Sequence, residues 1–148
     1  MVPVLDELQI LLLRDLDAFA REIQAFPDDN ALWRTAPGVA NAAGNLALHV
    51  AGNLRHFVGG LLGGIPYQRN RELEFSRKQG TRQEVVEELQ AARQAVVTAL
   101  SGLTEQGLRA EFPAEMEGRR LSTEALLVRL SVHLAYHLGQ ADYLRRLG

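Results

Sequence analysis

Four stretches of this chain repeat apolar residues at intervals of three and four, and that periodicity most limits what it can fold into. In the first, Leu5, Leu8, Leu12, Leu16, Phe19 and Ile23 fall on one side of a helix. Pro3 suits a first helical turn, and Pro27 with Asp28 and Asp29 ends the run, so a helix is predicted from about Pro3 to Phe26. Leu11 and Leu13 widen its stripe enough to face a second subunit. The second helix is predicted from Asn41 or Asn45 to Leu62, closed by Gly63-Gly64, with Leu46, His49, Val50, Asn53, Phe57 and Leu61 on its apolar side. The third opens on a capping box, Thr81-Arg82-Gln83-Glu84, in which the threonine and glutamate side chains each take up a free amide. It then carries Val85, Leu89, Ala92, Val96, Leu100 and Leu103 inward. The fourth runs from near Ser122 to about Leu147 on a stripe of Leu126, Leu130, His133, His137, Gln140 or Ala141, and Leu144.

No segment shows a persuasive strand pattern; a short extended piece within residues 108–121, turning at Glu117-Gly118, is the one break in the helical reading. Four amphipathic helices bury their stripes most simply as an all-α four-helix bundle. The 148 residues make one domain by length, residues 1–148. The segment from Gly64 to Gly80 is long for a bundle connection, where roughly 2–8 residues is usual. Extended at about 3.3 Å per residue, it can run the full length of a helix of about 30 Å. The second and third helices are therefore expected to lie parallel, joined by a crossover, in up-down-down-up order. This loop carries Arg69, Asn70, Arg71, Glu72 and Glu74, and long charged loops often cover a site.

The chain has no cysteine, which excludes disulfides, thiolate metal sites and a cysteine nucleophile. A formal charge of -2 gives no footprint for nucleic acid or an anionic membrane surface. No apolar run is long enough to span a bilayer, and the first residues lack the basic and apolar regions of a signal peptide, so a cytoplasmic location is expected. The glycine pairs Gly59-Gly60 and Gly63-Gly64 are not followed by the Lys-Ser/Thr of a phosphate loop and suit close helix packing. There is no serine elbow and no carboxylate–histidine pair of the di-iron kind, so no catalytic group is identified and no organic cofactor motif is found.

The histidines carry the chemistry. There are four, and His133 and His137 stand one helical turn apart, with Cβ atoms about 5–6 Å from each other. His49 points inward from the second helix. Three inward imidazoles are either structural histidines bonded in a polar core or the ligands of one divalent transition metal ion with open positions, and a pair plus a third favours the ligands. Zinc and nickel both suit imidazole. Each ligand would give its other ring N–H to a partner, for which Asn45, Asn53, Glu74 and Gln140 are candidates. His56 lies two turns from His49 and is expected to be a rim or structural residue. Trp33 is expected to pack under the first loop, and Arg145-Arg146 to complement the dipole of the last helix.

The inward His49, within residues 45–55, and the H-x-x-x-H-x-G-Q of residues 133–140 resemble the DinB/YfiT-like family of bacterial metal-binding four-helix bundles. The loop of residues 69–75 resembles one branch of it, and the resemblance runs through nearly the whole chain. It implies an up-down-down-up bundle, often a homodimer, with metal ligands at His49, His133 and His137. Members include transferases and isomerases that use low-molecular-weight bacterial thiols. The function it implies is a metal-dependent transferase that activates such a thiol for a small-molecule substrate; without a cysteine in the chain, the thiol must be a co-substrate. The alternatives are a metal-dependent hydrolase with Glu74 or another loop carboxylate as base, and a non-catalytic stress or binding protein whose metal site is structural or vestigial.

Overall fold

The computed structural model describes residues 2–148. Its long helices are α1 (Pro3–Gln24), α2 (Ala43–Leu54, continued by a π-helical segment, Arg55–Leu62), α4 (Arg82–Ser101) and α6 (Thr123–Leu147). Each helix of the bundle packs on two neighbours: α1 and α2 both lie against α4 and α6. Pairings along the interfaces give the directions. Asp17 meets Arg93 and Asp29 meets Arg82, so α1 and α4 are antiparallel. Arg55 meets Glu88, Gly59 lies on Ala95 and Gly63 on Ala99, so α2 and α4 are parallel. Glu22 meets Arg145, and both helices end there, so α1 and α6 are parallel. The order is up-down-down-up.

Sequence explains the core directly. All six residues of the predicted α1 stripe are buried, as are Val85, Leu89, Ala92, Val96 and Leu100 of α4. Leu13 and Leu103 are half-buried against this core, and Ile10 is the exposed apolar residue of mid-α1. Gly59 in the α2 extension and Gly63 just after it let the parallel helices touch: a Cβ on Gly59 would come within 2.9 Å of the Ala95 Cβ, and one on Gly63 within 2.8 Å of the Ala99 Cβ. Two expectations for α2 are corrected. From Ala43 to Leu54 every residue is buried, not a single face. Leu61, expected inside, is exposed, while Val58 and Gly59 are buried. The π turns explain this, because i→i+5 bonding adds a residue per turn and rotates the later side chains off the α-helical stripe.

The crossover between α2 and α4 is only partly a loop. It contains α3 (Arg71–Ser76), whose start is capped by Asn70 Oδ1 accepting from the Leu73 amide at 3.0 Å. Six residues are too few to show a helical period, which is why the sequence pattern gives no sign of α3. Trp33, in a 3-10 turn (Asn30–Trp33), ties the crossover down: its Nε1 donates to the Gly80 carbonyl at 3.0 Å. Its ring packs on Gly44, where a Cβ would come within 2.8 Å of it. The capping box is half-made. Thr81 Oγ1 accepts from the Glu84 amide at 3.0 Å, but the Glu84 carboxylate pairs with Arg77. After α4 come a short helix, α5 (Glu105–Arg109), and an antiparallel hairpin, β1 (Glu111–Met116) and β2 (Arg119–Ser122). The hairpin turns at Glu117 and Gly118, whose φ of 52° and 75° suit a two-residue turn, and it lies against α6, with Phe112 fully buried. Among the described residues, no helix is long and apolar enough to cross a membrane.

Candidate metal centre

His49 lies mid-α2, with both flanking turns buried, and His133 and His137 lie one turn apart on the facing side of α6. The three expected histidines come together: one ring nitrogen of each lies within 4.8 Å of the others. His49 Nε2 and His133 Nε2 are 3.0 Å apart. Nitrogens about 2.0–2.1 Å from a common zinc at tetrahedral angles stand about 3.4 Å from one another, so the cluster is close to the spacing a metal requires.

The proton positions also suit a metal. Glu74 Oε1 lies 3.1 Å from His49 Nδ1, and Gln140 Oε1 lies 2.7 Å from His137 Nδ1. A carboxylate and an amide oxygen can only accept, so each Nδ1 is the donor and each Nε2 is turned toward the cluster, where, without an ion, His49 Nε2 and His133 Nε2 share one hydrogen across 3.0 Å. His133 is held neutral as well, its pKa pushed down to about 4, first by burial and then by His137, His49, Arg69 and Arg71. Burial lowers His137 too, partly offset by its bond with Gln140. Neutral imidazoles are what a metal binds, and His133 and His137 are both shifted toward that form.

The partner of His49 comes from the crossover. α3 packs on α2 and delivers Glu74, buried with 6% of its surface exposed. Burial by itself would raise the Glu74 carboxyl, but hydrogen bonds from His49 and Arg69 outweigh it and hold it below the ordinary carboxylate range. Arg69 grips both oxygens, Nε to Oε2 at 2.9 Å and Nη2 to Oε1 at 3.0 Å. A fork of this kind fixes the carboxylate plane and, through it, the His49 ring. Gly52 makes the room: a Cβ there would fall 1.9 Å from Glu74 Oε2. Phe75 closes the other side, its ring centre 4.6 Å from that of His49.

Of the four candidate partners, then, Glu74 and Gln140 hold histidines of the cluster. Asn45 instead donates Nδ2 to the carbonyls of Glu74 and Arg77 at 3.0 and 2.8 Å, stapling α3 onto α2. Asn53 Oδ1 is buried with no hydrogen-bond partner among the described residues. His56 stays outside the cluster, half-buried with its ring centre 4.8 Å from that of Phe57. Arg145 and Arg146 sit in the last turn of α6, paired with Glu22 and Asp142. Sequence reasoning missed the roles of Arg69, Phe75 and Gly52. Gly52 did leave a signal, because a glycine inside a helix is disfavoured by about 1 kcal/mol and often marks a close approach.

A cavity of about 420 Å³ opens onto the cluster, with His49 and His133 in its wall beside Asn53, Phe57 and Met116. The centre can thus hold an ion on three nitrogens while a small molecule reaches it from one side.

No curated protein matches the chain. Among solved structures, a DinB-like protein from Bacillus cereus is similar to it, with a TM-score of 0.69 at 20% identity, over 90% of this chain and 85% of that one. That likeness speaks to the fold. The profile of the DinB superfamily matches residues 11–141, a span that holds all three clustered histidines, α3 and the hairpin. The chain belongs to the DinB superfamily.

Proposed function

We propose that His49, His133 and His137 hold one divalent transition metal ion, zinc or nickel, and that the protein is a transferase that activates a low-molecular-weight thiol there. The observation that carries the metal reading is the convergence of one ring nitrogen from each histidine within 4.8 Å, with the Nδ1 atoms of His49 and His137 turned outward to Glu74 and Gln140. When bound, the ion supplies a Lewis acid that favours a thiolate over a thiol. Glu74 and Arg69 hold His49 in orientation, Gln140 holds His137, and Phe75 shields His49 from water. The chain has no thiol of its own, so a thiol must enter as co-substrate, and the cavity beside His49 and His133 is where it would do so.

Glu74 does not suit the role of a hydrolytic base, because both of its oxygens are engaged. A hydrolase reading falls instead to Glu117, an exposed carboxylate in the cavity wall. The two separate cleanly. Zinc-loaded or nickel-loaded protein should consume a thiol in the presence of electrophilic substrates, and His137→Ala should abolish that. Turnover that persists without thiol would favour the hydrolase, and no thiol consumption across the common bacterial thiols would refute the transferase.

An association into homodimers is part of the same proposal. Val128, Val132, Tyr136, Tyr143 and Leu147 form an exposed apolar stripe down the outer side of α6, away from the bundle core. Light scattering at twice the monomer mass would support it, and a monomer at high concentration would refute it.

A further inference from the structure

The cavity beside the histidines is lined by three arginines, and they are not equivalent. Arg69 is neutralised by its two short bonds to the buried Glu74. Arg71 forms no ion pair among the described residues; its guanidinium carbon lies 5.2 Å from the centre of the Phe75 ring. Among the described residues Arg129 meets only Glu117, at a loose 3.7 Å, and the Glu117 side chain is 82% exposed at the tip of the hairpin. A pair so open to water is weak and readily exchanged for another anion. The wall therefore presents two available guanidinium groups, from α3 and α6, on the rim of a cavity whose floor is His49 and His133. Guanidinium forks match the geometry of a carboxylate.

Asn53 gives a second, independent sign. It lines the same cavity from α2, it is 7% exposed, and its Oδ1 has no donor. A buried acceptor left unpaired costs about 1–3 kcal/mol, and a native protein keeps one most readily where something bound supplies the donor.

We propose that this cavity is an anion subsite: Arg71 and Arg129 bind the carboxylate of a small hydroxy acid, whose hydroxyl donates to Asn53 Oδ1 beside His49 and His133. The occupant is the substrate only if the metal reading above is right; the anion subsite itself stands or falls separately. The apolar wall of Phe57 and Met116 suits a short carbon chain between the acid group and the histidine floor.

Calorimetric titration with glutarate, and with its neutral dimethyl ester, tests this on metal-free and zinc-loaded protein. Glutarate should bind the metal-free protein at least about tenfold more tightly than the diester, and added salt should weaken it. Arg71→Gln should remove that preference and Arg129→Gln should reduce it, with zinc content unchanged in both. Both arginines are exposed, so the variants should keep the fold, checked by circular dichroism. Equal binding of the two probes, or a preference for glutarate that survives in both arginine variants, would overturn the proposal. If zinc does not bind but the Arg71-dependent preference remains, the metal reading fails and the anion subsite holds. If zinc binds on the three histidines and the preference is missing, the reverse is true.

Discussion

The two sides of the histidine cluster are built in opposite ways. On the α6 side, His133, His137 and Gln140 come from eight consecutive residues of one helix, and helical geometry alone brings them together. That helix is half in solvent, with Tyr136 exposed between the two histidines. On the α2 side a single histidine sits in a helix buried on every face, and its partners arrive from elsewhere: Glu74 lies 25 residues on and Arg69 lies 20 residues on. One side is a local motif on a scaffold that tolerates change. The other is a packed assembly in which His49, Gly52, Glu74 and Arg69 depend on each other. Substitutions on the α2 side should therefore cost both stability and metal affinity, and those on the α6 side metal affinity alone.

Glu74→Ala should show the contrast most strongly. It leaves Arg69 without its partner at a site where only 12% of that side chain is exposed, and breaking a buried pair by removing one partner costs about 3–5 kcal/mol. It also frees the His49 ring, so metal affinity should fall by about 10–100-fold. Chemical denaturation and a competitive zinc titration read the two effects. Gly52→Ala comes next. The added methyl displaces the carboxylate rather than deleting it, so a loss of about 1–3 kcal/mol is expected, with weaker zinc binding alongside it. Wild-type stability in this variant would mean that Glu74 is not packed as described.

Gln140→Ala should lower zinc affinity by roughly tenfold while unfolding stays within about 1 kcal/mol of wild type. A large stability loss here would erase the distinction between the two sides. The smallest effect is in pH. His133 stays neutral in the fold down to about pH 4, whereas the same group in the unfolded chain takes up its proton near 6.5. Between those values the unfolded state binds more protons, so the stability of the metal-free protein should fall as pH drops through that window and level off below it. His137, also lowered, adds in the same direction. His133→Gln should flatten the slope.

The same contrast accounts for what could be read from sequence. The α6 motif was legible because its information is local, and the stripes of α1 and α4 were legible because spacings of three and four survive without knowledge of the neighbours. The parallel α2–α4 pair followed from the length of the crossover. What escaped was either too short to show a period, as with α3 and α5, or encoded across distant segments. Glu74 was one of four candidate partners, and nothing local sets it apart from Asn45, which turned out to bond backbone carbonyls instead. Leu61 was misplaced because the π turns of residues 55–62 break the α-helical register, and no residue there announces them. The dry packing of Arg69 on Glu74 depends on the absence of a side chain at Gly52, which becomes meaningful only once α3 is placed against α2.

The central claim is that three imidazoles from two helices bind one ion. The most direct test is metal stoichiometry after dialysis against zinc, measured on the wild type and on His49→Ala, His133→Ala and His137→Ala, each checked for helical content. One ion per chain in the wild type, and a large loss in every variant that keeps its fold, is the result predicted. A folded variant that retains a full equivalent of metal, or a wild type that takes up none, would contradict it.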